Sequence, residues 1–130
     1  MPGDVVWLER ALVLALHERL LAVHGGPVGV RDEGLLDSAL ARPVHLAAYG
    51  APDLYALAAA YAAGIVRNHP FVDGNKRTAF MAAYVFLGRN GGRLIAPEHA
   101  ATRAMQALAA GDLKEEEFAR WLRDNTESRP

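Results

Sequence analysis

Residues 69–78, His69-Pro70-Phe71-Val72-Asp73-Gly74-Asn75-Lys76-Arg77-Thr78, place an imidazole, a carboxylate, a glycine, an amide and two cations within one short stretch. His69 can move a proton near neutral pH, which no other side chain here does as readily. The bland alternative is an exposed histidine capping a helix end. From 54 to 93 Asp73 is the only acidic residue, set against Arg67, Lys76, Arg77, Arg89 and Arg93. That basic stretch lies in a chain whose formal net charge is only -1.

Asn75 opens an apolar run at helical spacing, so Lys76 and Arg77 fall in a first helical turn. Cations there oppose the helix dipole, and an anion bound at the free N–H groups reverses the sign of that cost. Phosphate is the anion these residues suit, with Arg77 gripping it bidentately and Lys76 acting as a point charge. Asp73 opens a turn in the plain reading. In the chemical one it holds Mg²⁺, which one or two carboxylates and substrate phosphates bind. Gly74 permits close approach of backbone to a ligand or simply satisfies a turn. Asn75 reads as an N-cap, a role compatible with phosphate contact. Phe71 is expected to anchor the loop in the core while His69 faces outward.

These residues need elements that hold them. At 130 residues, with 52% hydrophobic and 22% charged side chains, the chain suits one packed domain over 1–130 with a polar, frayed tail at about 125–130. Apolar spacing predicts helices over 5–23, from a cap at Asp32 to about 41, over 54–67 behind Asp53, over 75–89, over 97–110 and over 114–123. Pro43 is expected to end the second, leaving 43–52 as a loop or small flap. The 75–89 helix carries apolar residues around most of its circumference and is expected to be central, with Asn90-Gly91-Gly92 closing it. The fold class is all-α, with few places for a sheet.

Several function classes drop out. With no cysteine, disulfides, thiolate metal sites and thiol nucleophiles are excluded. His17, His24, His45 and His99 show no metal-ligand pairing, and no Walker or kinase glycine loop occurs. Glu115, Glu116 and Glu117 read as a solvated helix start, and Trp7 and Trp121 as core or groove residues. Near-neutral charge gives no general nucleic-acid surface. No apolar run reaches the roughly 18 residues of a membrane span. The residues 1–4 lack a signal-peptide start, so the expected location is cytoplasmic.

The stretch from His69 to Arg77 resembles the Fic/Doc superfamily signature, His-x-Phe-x-Asp/Glu-Gly/Ala-Asn-Gly/Lys-Arg, at every position. It is most similar to the death-on-curing (Doc) toxin branch: Lys76 stands where AMP-transferring Fic enzymes have glycine, and Phe80 where they carry a second arginine. The resemblance extends upstream through Gly25-Gly26-Pro27-Val28-Gly29-Val30-Arg31-Asp32 and Leu35-Leu36-Asp37-Ser38-Ala39-Leu40, and downstream into Phe86-Leu87-Gly88-Arg89-Asn90-Gly91. It implies a Fic/Doc-like helical bundle whose catalytic loop enters a central buried helix. It implies His69 as general base, Asp73 as the Mg²⁺ residue, and Gly74, Asn75, Lys76 and Arg77 as the nucleotide-phosphate site.

By the same resemblance the chain would be the toxin of a toxin–antitoxin pair. It would pass the γ-phosphate of ATP to a hydroxyl of an elongation factor Tu-like translation factor and so arrest protein synthesis. Its partner would be a small antitoxin whose disordered tail folds on binding, since no Ser/Thr-x-x-x-Glu-Gly/Asn inhibitory motif occurs in the chain itself. Gly74 departs from the alanine of the well-known Doc toxin and leaves AMP transfer to a protein hydroxyl as an alternative. A non-catalytic module binding an antitoxin or regulator is the other, against which the intact His69, Asp73, Asn75 and Arg77 speak.

Overall fold

The computed structural model describes residues 4–128 and is built almost wholly of helices: α1 (Arg10–His24), α2 (Glu33–Tyr49), α3 (Leu54–Asn68), α4 (Asn75–Arg89), α5 (Glu98–Ala110) and α6 (Glu115–Asp124). Two short strands, β1 (Gly92–Leu94) and β2 (Thr126–Ser128), pair antiparallel with Arg93 opposite Glu127. Residues 1–3 and 129–130, which include most of the signal-peptide reading and the last of the expected tail, lie outside the described residues. Among the described residues no helix is long and apolar enough to cross a membrane.

The all-α expectation holds, but the helix enclosed on every side is α3, not the 75–89 helix expected to be central. Every residue from Leu57 to Val66 is buried, because α2, α4, α5 and α6 all pack on it. Small side chains make this possible. A Cβ at Gly64 would stand 3.3 Å from the backbone of Ala39, so α2 crosses α3 at close range. The next helix, α4, buries Ala79, Ala82, Ala83, Phe86 and Leu87 but leaves Tyr84 exposed, so one of its faces stays open.

Four local expectations need correction. The helix begun behind Asp32, whose carboxylate accepts the Leu35 amide as expected, does not stop at Pro43. Proline forfeits one helical hydrogen bond without unwinding the turns beyond it, and here its ring is buried, so α2 runs to Tyr49 and takes up most of the expected 43–52 flap. The tail does not fray over 126–128, because β1 supplies its backbone with partners. Glu115 is not solvated: its side chain is 14% exposed between Arg42 and Arg67, which ties α6 to α2 and α3. The expected helix at 5–23 starts only at Arg10. Before it Leu8 N–H donates to the buried Tyr61 hydroxyl at 3.0 Å, and Val6 exchanges hydrogen bonds with the Asn90 amide.

Asp53 caps α3 as its sequence position predicts, accepting the Ala56 amide at 2.8 Å. Partial burial works to raise this carboxyl's pKa, but the Ala56 amide and the Arg123 guanidinium outweigh it and hold the group below its ordinary value. A depressed carboxyl contributes stability above its unfolded pKa and loses it as pH falls through the folded value. Asp53→Ala is therefore expected to cost about 1 kcal/mol near neutral pH. The difference should shrink as pH falls from about 4 through the lower folded-state value, beneath which the carboxyl is protonated in both states. Urea unfolding at the two pH values checks this; an equal loss at both would refute the electrostatic part.

Candidate active site

The loop between α3 and α4 is held through its own carbonyl oxygens. α3 ends when His69 takes a left-handed conformation (φ 52, ψ 54) while its N–H still donates to Ile65 O at 3.0 Å. The Arg31 guanidinium then donates to the carbonyls of Asn68 and His69, at 2.9 and 2.8 Å. The Arg31 and Asp32 amides donate to Pro70 O, and Val72 N–H donates to Gly29 O. Asn75 brackets Phe71, its amide oxygen accepting the Phe71 N–H at 3.0 Å and its nitrogen donating to the Phe71 carbonyl at 2.9 Å. His17 takes the Asp73 carbonyl, with Nε2 2.8 Å from its oxygen.

Phe71 is fully buried, as its apolar ring in a polar stretch predicts, and its ring stacks on that of His17 at 3.8 Å. The anchored loop leaves the His69 side chain exposed on the wall of a cleft of about 880 Å³. The same cleft receives Asp73, Gly74, Asn75, Lys76 and Arg77, so the structure brings all the residues singled out in the sequence to one place.

Asn75 is not the helix cap. That position belongs to Gly74, whose φ of 78 is left-handed backbone, and no side chain caps α4. The first hydrogen bond of the helix runs from Thr78 N to Gly74 O at 2.9 Å. The amides of Asn75, Lys76 and Arg77 thus precede it with no protein acceptor among the described residues.

The cationic field is narrower than the sequence suggests. Arg67 pairs with Glu115, Arg89 with Glu9 and Arg93 with Glu127. Lys76 and Arg77 have no carboxylate partner among the described residues, so the positive charge left for a ligand is theirs. Open amides, two uncommitted cations and a dipole end suit a phosphate group.

Asp73 is exposed in the cleft, also without an ion-pair partner among the described residues. Its carboxylate sits against Gly26, where any side chain would collide with it. Among the described residues no three His, Asp or Glu cluster into a metal site. A single carboxylate completed by phosphate oxygens is nonetheless a donor set that suits Mg²⁺.

Three contributors escaped the sequence reading. His17 was one of several scattered histidines, and Gly26 and Arg31 stood in the upstream stretch that carries the resemblance without a role of their own in the site. Their partners lie 37 to 56 residues away for Arg31 and His17, so no local pattern marks them.

The chain is similar to known proteins over the segments that build this cleft. Residues 7–87, from ahead of α1 through most of α4, match the Fic/DOC family. The chain is 52% identical over 75 residues to Toxin Doc of Mycolicibacterium smegmatis, a match covering 55% of this chain and 57% of that protein. It is 38% identical over 80 residues to Protein kinase doc of Escherichia phage P1, covering 61% of this chain and 64% of that one. The chain therefore spans less than two thirds of the length of either relative. The family match takes in the whole loop from His69 to Arg77 together with α1 and the segment that hold it, and on that ground this chain belongs to the Fic/DOC family.

Proposed function

We propose that residues 1–130 form a single catalytic domain, the toxin of a toxin–antitoxin pair, which acts in the cytoplasm as a protein kinase. It transfers the γ-phosphate of ATP to a serine or threonine hydroxyl of an elongation factor Tu-like translation factor and stops protein synthesis. The names of the two relatives, Toxin Doc and Protein kinase doc, support this reading. The observation that carries it is the convergence of His69, Asp73, Lys76, Arg77 and the open N-terminus of α4 on one cleft.

In this reading His69 accepts the proton of the target hydroxyl, whose oxygen attacks the γ-phosphorus as the bond to the β–γ bridging oxygen breaks and ADP leaves. The amides of Gly74, Asn75 and Lys76, with Arg77, hold the phosphates in line, and Lys76 offsets charge on the group in flight. Asp73 holds Mg²⁺, which when bound neutralises phosphate charge. Positioning and charge neutralisation supply most of the rate in this chemistry, and the site is built of groups that do both. A small antitoxin with a disordered tail that folds on binding restrains the enzyme.

The second reading is AMP transfer to a protein hydroxyl, and Gly74 favours it. Its left-handed φ of 78 is a backbone state that a side chain adopts only with strain, and by the family resemblance a glycine here restores part of the AMP-transferring pattern. Mass spectrometry of elongation factor Tu after incubation with the protein, ATP and Mg²⁺ separates the two. A phosphate adduct supports the kinase, an AMP adduct supports the alternative, and an unmodified factor refutes the assigned target.

Arg77→Ala tests the phosphate grip. The side chain is exposed and has no carboxylate partner among the described residues, so its loss should leave the fold intact. A charged hydrogen bond to phosphate contributes roughly 1.5–3 kcal/mol, so nucleotide affinity should fall about tenfold or more. Calorimetric titration with Mg²⁺ and a non-hydrolysable ATP analogue measures it; unchanged affinity removes Arg77 from the site.

A further inference from the structure

His17 is a titratable group buried to 3% exposure, and nothing in the proposed transfer uses it. It sits on α1, a helix with no reacting group of its own in that scheme. Its ring lies flat on Phe71, with centroids 3.8 Å apart and planes 11° from parallel. Its Nε2 is 2.8 Å from the carbonyl oxygen of Asp73. A carbonyl oxygen only accepts, so Nε2 carries the proton and donates it. One side chain therefore grips the loop at two points: the ring that anchors it and the peptide just ahead of the helix that holds phosphate.

The second grip falls where backbone orientation matters most. The Asp73 carbonyl belongs to the same peptide unit as the Gly74 N–H, and Gly74 is the left-handed residue from which α4 starts. Rotating that peptide would swing the Asp73 side chain on one side and the first amides of α4 on the other. Gly26 and Leu21 close the space around it: a side chain at Gly26 would meet the Asp73 carboxylate, and a Cβ at Gly74 would stand 3.5 Å from Leu21 Cδ2 and 3.7 Å from His17 Nε2. The other loop carbonyls, at 68 to 71, are held by Arg31, by backbone amides and by Asn75. His17 alone among these holds the peptide between the carboxylate and the phosphate cradle.

We infer that His17 is a positioning residue for Mg²⁺-nucleotide binding: by donating Nε2–H to the Asp73 carbonyl it fixes the Asp73 carboxylate relative to the N-terminus of α4. This rests on the kinase reading for the role of Asp73, but the positioning itself is a statement about the loop. Two substitutions separate the donor from the ring. His17→Phe keeps an aromatic face on Phe71 and removes the donor. His17→Gln loses the ring but places an amide N–H near the position of Nε2.

The test uses the full chain, elongation factor Tu and labelled ATP, with Mg²⁺ titrated at fixed nucleotide and thermal unfolding measured for each variant. His17→Phe should raise the Mg²⁺ needed for half-maximal transfer by roughly tenfold, the scale of one lost buried hydrogen bond. It should leave the KM for elongation factor Tu unchanged, and His17→Gln should restore most of the Mg²⁺ response. A role in packing alone would lower the melting temperature and the active fraction without moving Mg²⁺ half-saturation, and that result overturns the inference. So does a Gln variant as impaired as Phe. Should the Phe protein fail to fold, His17→Met fills the space with a more adaptable side chain and takes its place.

If the wild-type protein transfers no label, the kinase reading falls and positioning is decided by NMR. Backbone amide shifts of residues 73–77 that move in His17→Phe and return in His17→Gln support it; shifts that stay put overturn it.

Discussion

His69→Ala is expected to lower phosphoryl transfer by roughly 10²–10⁴-fold, the usual contribution of a positioned general base. The structure explains why the loss should be chemical and not structural. The His69 side chain is exposed, and its backbone is held by Ile65 O and the Arg31 guanidinium, which no substitution at the side chain removes. The one complication is its left-handed backbone, φ 52, which alanine tolerates poorly. His69→Asn resolves it, because asparagine accepts that conformation and offers no comparable base. Both variants should lose transfer, and the Asn variant should keep the wild-type melting temperature. Growth arrest on expression should vanish with them. Arrest that persists in His69→Asn would mean that the chain acts by binding a partner.

The second large effect is on stability. Phe71 is fully buried, packs its ring on His17 and pairs its backbone with Val30 and Asn75. Truncating a buried phenylalanine to alanine costs about 3–5 kcal/mol, through lost burial and the cavity left behind. Domains of this size are stable by only about 5–15 kcal/mol, so Phe71→Ala should remove a large part of the total and lower the urea midpoint sharply. The loss should also free the loop, since the His17 ring would have no stacking partner. A change below about 1 kcal/mol would show that the loop is not seated in the core through this ring. Comparing Phe71→Leu, which keeps an apolar side chain of moderate size, isolates the contribution of the stacked aromatic pair.

The parts of the fold that were legible in the sequence are those decided within a few turns of chain. The span Asn75–Arg89 was readable at both ends because Gly74 and Asn90-Gly91-Gly92 punctuate an unbroken apolar run. Asp32 and Asp53 declared themselves as caps by position, and the structure gives each its amide partner. The errors came where distant contacts decided the outcome. Pro43 sits in a helix whose packing on α3 outweighs one missing hydrogen bond. The strands β1 and β2 are three residues each and lie more than 30 positions apart, too short to show a period.

The candidate site divides in the same way. The groups proposed to react and to bind an anion lie in one decapeptide, where residue type and spacing point to them. The groups that hold that decapeptide were not legible in this way. His17 meets Asp73 across 56 positions and Arg31 meets His69 across 38, so neither leaves a local mark. The charge reading failed for this reason too. Arg67, Arg89 and Arg93 looked like part of a basic pocket until the fold paired them with Glu115, Glu9 and Glu127. What remains for an anion is Lys76, Arg77 and the bare start of α4, a smaller field but one focused on the cleft that His69 lines.

The most direct measurement is transfer of label from ATP carrying it at either the α- or the γ-phosphate, with purified protein, Mg²⁺ and elongation factor Tu, and His69→Ala alongside. The account predicts that γ-label alone reaches the factor and that the His69→Ala protein transfers it at least about a hundredfold more slowly. Label arriving from the α-phosphate, or γ-label arriving undiminished from the His69→Ala protein, would contradict it.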